Sequence, residues 1–196
     1  MELKQTLRKV WYFLWKDNSI WSWLVNLIIA FIIVKFVIYP VLGLIFGTGL
    51  PIVAVVSCSM EHSEIKGDCA LTHQGFDVWW DKNKEWYLDK GITKEQFSDF
   101  IFKNGFNKGD IIFIFRAKNL KVGDVIVYQT SMVYYPIIHR VVHVDPYITK
   151  GDNNQVNDPK EVSESQIIGK AVFKIPLLGW IKIWFVNIIQ FIGGLF

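Results

Sequence analysis

Cysteine is scarce in this chain: only Cys58 and Cys69 occur in 196 residues. Two thiols cannot form the disulfide framework that holds small secreted scaffolds together, and both are expected to be free. There is no N-x-Ser/Thr acceptor, no glycine-rich phosphate loop, no internal repeat and no low-complexity tract. Net charge is only +3, far below the basic excess of an ordinary nucleic-acid binder, so no nucleic acid is expected as a partner. At 52% hydrophobic residues the chain is neither disordered nor collagen-like.

Charge is also missing locally. Between Asn18 and Met60 the only charged residue is Lys35, and between Ile175 and Phe196 it is Lys182. The water-facing chemistry is therefore confined to the middle, between two apolar ends. Residues 20–46 are expected to form a transmembrane helix, since a bilayer needs roughly 20 apolar residues. The helix should begin near Trp21 and end between Tyr39 and Phe46, weakened by Pro40 and Gly43. No small-residue site closes the run, so it is read as an anchor and not a cleavable leader. Lys4, Arg8, Lys9 and Lys16 outnumber Glu2 and Asp17, which keeps residues 1–19 cytoplasmic and sends the middle outward. Residues 176–196, with Trp180 and Trp184, are expected to form a membrane-associated or transmembrane helix. The lipid bilayer is thus one expected partner.

The middle, residues 51–175, reads as mainly β. Residues 51–60, 110–116, 124–129, 137–144 and 167–174 are short β-branched or apolar runs separated by Gly, Asp, Asn and Pro turns. Such punctuation predicts an antiparallel sheet or open barrel. Residues 74–106 break the pattern. Trp79, Trp80, Asn83, Trp86 and Tyr87 fall at helical spacing, and Thr93 with Gln96 makes a capping box ahead of Phe97. A helical insertion is expected there, its aromatics forming a small core of their own.

Three polar elements interrupt the apolar pattern. Ser57-Cys58-Ser59-Met60-Glu61 ends the first run, His139 sits in an apolar strand, and Asp152 and Asp158 follow in Thr149-Lys150-Gly151-Asp152-Asn153-Asn154 and beyond. Serine, histidine and carboxylate supply a nucleophile, a general base and a group that orients the imidazole. A zinc site on His139 and His143 is excluded, because residues four apart on a strand stand about 13 Å from one another. No metal or cofactor is expected.

These blocks, with Lys-Gly-Asp, Val-Gly-Asp-Val-Ile-Val and Ile-His-Arg-Val-Val in order between about Val53 and Lys174, resemble type I signal peptidase. The likeness is to the archaeal and endoplasmic-reticulum branch, in which histidine replaces lysine as base. It implies a signal-peptidase-like antiparallel β catalytic domain and a membrane-anchored serine endopeptidase that cleaves signal peptides from secreted preproteins. Its partners would be preprotein signal peptides, the bilayer and a secretion translocon, in the cell membrane with the catalytic domain extracytoplasmic. It also implies Ser59 as nucleophile, His139 as base, Asp158 as third triad member and Asp152 as a second important acid. Asp158 is ranked first for contact with His139. Ser59 N–H and the Ser57 hydroxyl would form the oxyanion hole.

The chain departs from the family in two places. His62 stands where a proline is usual and is expected in an exposed loop. Two Lys-Gly-Asp triplets occur, at 66–68 and 108–110, and the second is favoured because a strand follows it. The insertion between them is expected to serve as a lid or a paddle resting on the membrane, and Lys150 to be solvated. The alternative reading is a catalytically inactive, membrane-anchored β subunit of a secretion complex that binds preproteins.

Overall fold

Ser19 and Gly47 bracket the long apolar helix in the computed structural model, which describes residues 2–63, 69, 74–131, 133–181, 183–184 and 187–188. Ser19 Oγ accepts the Ser22 N–H at the N-terminus, and Asp17 in turn holds Ser19. Gly47, at φ 67°, ends the helix in the left-handed conformation that glycine tolerates. Between them run α2 (Ile20–Ile33), a π-turn (Val34–Ile38) and α3 (Tyr39–Phe46). The π-turn has a cause in sequence. Pro40 has no N–H to donate and its ring crowds the Phe36 carbonyl, so the chain widens just before it, with Tyr39 N–H bonding back to Val34 O. The continuous helix Ile20–Phe46 has 27 residues and mean hydropathy 2.6, long and apolar enough to cross a membrane.

The chain divides into two units, Met1–Ile45 and Phe46–Phe196. In the first, the flank read above only for its charge is itself a helix, α1 (Glu2–Trp15). Its last carbonyls are satisfied from α2, by Ser22 Oγ to Phe13 O and Asn26 Nδ2 to Leu14 O.

The second unit holds a six-stranded antiparallel sheet, in the order β1-β2-β6-β3-β4-β5. The strands are β1 (Ile52–Ala54), β2 (Ile111–Phe115), β3 (Val125–Tyr128), β4 (Ile137–His143), β5 (Ile148–Lys150) and β6 (Ile167–Ile175). The mainly β reading holds, with two differences. The strand expected over 51–60 stops at Ala54, because Val55 pairs with the loop at Gly109 and Asp110 and a turn from Cys58 to Glu61 follows. Residues 148–150, read as part of a turn, pair with β4 as β5.

All four residues of β3 are buried, so period-two alternation sends them to two cores. Val125 and Val127 join Met60, Phe106, Ile112 and Ile114, while Ile126 and Tyr128 join Val141 and Val162. The insertion forms α4 (Phe76–Asp89) and α5 (Lys94–Ser98), with the Thr93–Gln96 capping box. Trp79, Trp80, Tyr87, Ile92 and Phe97 make its core, which also reaches Val142 of β4. Cys58 and Cys69, expected as free thiols, are joined in a disulfide with Cα atoms 5.1 Å apart. The turn after β1 brings Cys58 to its partner 11 residues on, which strand alternation did not foresee. In the C-terminal stretch 176–196, residues 180, 181, 183, 184, 187 and 188 are described as helical; the rest of the predicted second span lies outside the described residues. So does the triplet 66–68.

Candidate active site

The Cys58–Glu61 turn presents Ser59, and a second turn clamps it. Asn153 N–H donates to Ser59 O at 2.8 Å, and Asn153 Nδ2 donates to Cys58 O at 3.1 Å. Gly151 has a structural reason here: a Cβ at that position would lie 2.6 Å from Ser59 O, so no larger residue lets the turns approach. Ser57 Oγ lies 3.4 Å from Ser59 Oγ.

β4 carries His139 opposite Ile126 of β3. His139 Nδ1 is 2.6 Å from Asp158 Oδ2, so Asp158, not Asp152, contacts the imidazole. The same oxygen accepts from Tyr128 Oη at 2.9 Å and Thr149 Oγ1 at 2.6 Å. Burial would raise the Asp158 pKa, but hydrogen bonds and charge from His139, with the Thr149 and Tyr128 hydroxyls, hold it below the ordinary carboxylate value. Burial, together with the neighbouring Asp158 charge, pushes the Tyr128 phenol up, so it stays a donor. Sequence reasoning missed Tyr128 and Thr149. The only signal was a hydroxyl on each strand, at the end of β3 and in the middle of β5, on the face that strand alternation assigns to His139.

Asp152 belongs to a different network. It is fully buried, and Arg140 grips both its oxygens, Nε to Oδ1 at 2.8 Å and Nη2 to Oδ2 at 2.7 Å. Arg140 also donates to Ile101 O, Phe102 O and Gly123 O. Burial opposes the Asp152 charge, but Arg140 and His62 hold its carboxyl far below the usual range. Two expectations are corrected here. His62 is not in an exposed loop: it is 1% exposed, its Nε2 lies 3.3 Å from Asp152 Oδ2, and its ring stacks on Trp79 at 3.8 Å. Lys150 is not solvated: it is 1% exposed, with Nζ 5.0 Å and 4.8 Å from the ring centroids of Trp86 and Tyr87. The insertion supplies the rings in both cases, which local sequence could not reveal.

Ser59 and His139 line one cleft of about 270 Å³, walled by Ala54, Val56, Tyr135, Pro136 and Ile138. Among the described residues no hydrogen bond joins the two side chains. The arrangement suits acyl transfer: a hydroxyl and an imidazole face one cavity, and a carboxylate fixes the far ring nitrogen. Among the described residues one cluster has the donor types for a cation, Cys58, Glu61 and Cys69. Its sulfurs are bonded to each other and Glu61 Oε1 accepts the Lys108 N–H, so the set does not fit a metal.

An antiparallel β unit whose serine and histidine line one cleft, with an aspartate on the histidine's Nδ1, in a chain with a long apolar helix, is the class that the sequence blocks resemble. The chain resembles type I signal peptidases of the endoplasmic-reticulum type. It is 41% identical over 96 residues to the signal peptidase complex catalytic subunit SEC11 of Lachancea thermotolerans, covering 40% of this chain and 57% of that protein. Identity to the subunit of the same name is 37% over 95 residues in Saccharomyces cerevisiae and 36% in Zygosaccharomyces rouxii, with the same coverage. The chain thus spans little more than half the length of these curated relatives. No protein-family model matches it.

Proposed function

We propose that this chain is a membrane-anchored serine endopeptidase that removes signal peptides from exported preproteins. The observation that carries the reading is the 2.6 Å contact of His139 Nδ1 with Asp158 Oδ2 beside the cleft that Ser59 also lines. With Nδ1–H donated to Asp158, the neutral imidazole keeps Nε2 free of a proton. Nε2 takes the Ser59 Oγ proton as Oγ attacks the scissile carbonyl. The resulting oxyanion receives the Ser59 N–H and the Ser57 hydroxyl. On collapse the leaving amine takes the proton from His139, giving an acyl-enzyme that water hydrolyses by the same base. No cofactor enters any step. The small, largely apolar cleft suits the short side chains that precede a signal-peptide cleavage site.

The helix Ile20–Phe46 supplies the anchor, in the cell membrane with the N-terminus cytoplasmic and residues 51–175 outside. Partners of this chain are preprotein signal peptides, the bilayer and a secretion translocon. The experiment is cleavage of a preprotein in membranes by wild type and Ser59→Ala. Loss of processing in the variant supports the reading, and processing at the wild-type rate refutes it. A wild-type chain that fails to cleave any preprotein favours an inactive binding subunit instead.

A further inference from the structure

Three polar side chains of the β unit are buried with their ends among aromatic rings of the insertion. His62 stacks on Trp79 with the planes 4° from parallel. The Arg140 guanidinium lies 4.7 Å from the Phe97 ring centroid and donates to the carbonyls of Ile101 and Phe102. Lys150 Nζ sits over Trp86 and Tyr87 and donates to Tyr87 Oη at 3.3 Å. Burying such groups is costly unless every one is paired, and a core made only to be stable would use apolar residues.

The same three side chains lead to the nucleophile. Lys150 Nζ donates to Gly151 O and Asp152 O, while Arg140 and His62 meet on the Asp152 carboxylate. The turn so held is the one whose Asn153 fixes Ser59 O. At the far end of the insertion Phe106 N–H donates to Met60 O at 2.8 Å, and Gly105 leaves no room for a Cβ against Met60 O and the His62 ring. His62 itself is three residues from Ser59. No residue of 74–106 lines the cleft, so any influence of the insertion on Ser59 runs through these packed side chains.

We propose that the insertion 74–106 is a positioning element for the nucleophile, its rings holding the Ser59 turn and the Gly151–Asn154 turn in register through His62, Arg140 and Lys150. The proposal rests on the reading of Ser59 as nucleophile and deepens it. His62, which departs from the family pattern, and the insertion become one feature, since they pack on each other. Trp79 and Tyr87 are positioning residues that touch no reacting atom.

The test is steady-state cleavage of a preprotein by the full chain in detergent, with thermal melting of every variant. Trp79→Leu is expected to lower kcat by about 10- to 100-fold, the loss that small misplacements of reacting groups produce, with KM changed by less than about threefold. Trp79→Phe, which keeps a ring for His62, should recover most of the loss. Tyr87→Phe should lower kcat several-fold, and Leu88→Ala, on the exposed side of α4, should leave it unchanged. A folded Trp79→Leu with wild-type kcat, one altered in KM alone, or equal impairment of the Leu and Phe variants overturns the proposal. If Trp79→Leu does not fold, Tyr87→Phe decides, and wild-type kcat there overturns it. Ser59→Ala is run alongside: undiminished cleavage by it sinks the nucleophile assignment, whatever the insertion variants do.

Discussion

His139 and Arg140 are neighbours on β4, face opposite sides of the sheet, and each takes its own aspartate. His139 meets Asp158 at 2.6 Å, and Arg140 meets Asp152 at 2.8 and 2.7 Å. Period-two alternation makes the separation, and cross-strand pairing completes both sets. Thr149 opposes Val141 on the His139 face and bonds Asp158, whereas Lys150 opposes Arg140 and enters the insertion's rings. One strand thus carries the imidazole proposed as base on one face and the Arg140–Asp152 network on the other.

The two aspartates should therefore fail differently. Asp158→Asn can turn its amide to His139 and favour the wrong tautomer, so kcat should fall by at least about 100-fold, with a smaller loss of stability than at Asp152. Asp152→Asn leaves a buried guanidinium uncompensated, a loss of about 3–5 kcal/mol of stability. Melting curves beside single-turnover cleavage separate them. Equal stability loss in both variants would contradict the division.

Tyr128 tests the support of Asp158 more gently. Tyr128→Phe removes one of three donors to Asp158 Oδ2, at about 0.5–1.5 kcal/mol for a hydrogen bond, or up to roughly tenfold in kcat. Thr149→Val should act in the same direction, and the double variant should lose more than either alone. A Tyr128→Phe enzyme with unchanged kcat and unchanged stability would show that this hydroxyl is idle.

Stability should fall as the medium is acidified, in two stages. Burial lowers the His62 pKa below its ordinary 6.5, with the Asp152 hydrogen bond restoring only part. Asp152 and Asp158 both lie below their ordinary 3.8, since their partners outweigh burial. In each case the unfolded chain binds more protons, so stability rises with pH. The His62 contribution is complete above 6.5 and lost as pH falls through its lower folded value. Those of the aspartates are complete above 3.8 and lost below it. Melting temperatures from about pH 8 to about pH 3 check this. His62→Phe, which keeps the stack on Trp79, should abolish the first stage, and an unaltered first stage in that variant would exclude His62 as its source.

Much of this was legible in the sequence, for identifiable reasons. Continuous β-branched or apolar runs bounded by turn residues marked β2, β3, β4 and β6, and helical spacing with the Thr93–Gln96 box marked α4 and α5. Ser59 and His139 stood out as polar groups set in apolar runs, while Asp158, in a turn, was assigned through the resemblance of the ordered blocks to the family. His62, Lys150 and the Cys58–Cys69 pair were misread because local pattern assigns a loop histidine or a turn lysine to solvent. Their partners lie elsewhere in the chain, on α4 and at Cys69. Asp152 was recognised as important, but its pairing with Arg140 depends on strand faces that only the register of β4 and β5 defines.

The proposed anchor makes a separate prediction for a helix that spans. At about 1.5 Å per residue the helix Ile20–Phe46 extends about 40 Å, against about 30 Å of hydrocarbon, so its ends or its tilt must absorb the excess. Its single charge, Lys35, lies near the middle, with Nζ 5.7 and 5.3 Å from the Phe31 and Phe36 ring centroids, and must snorkel along that apolar stem. A second charge beside it has no such route. Ile33→Arg should cost about 2.5–3.5 kcal/mol of insertion free energy. Wild type should stay with the membrane pellet after alkaline carbonate extraction, and the variant should be partly released. Full release of the wild-type chain would show that Ile20–Phe46 does not span, and would overturn the proposed membrane anchoring.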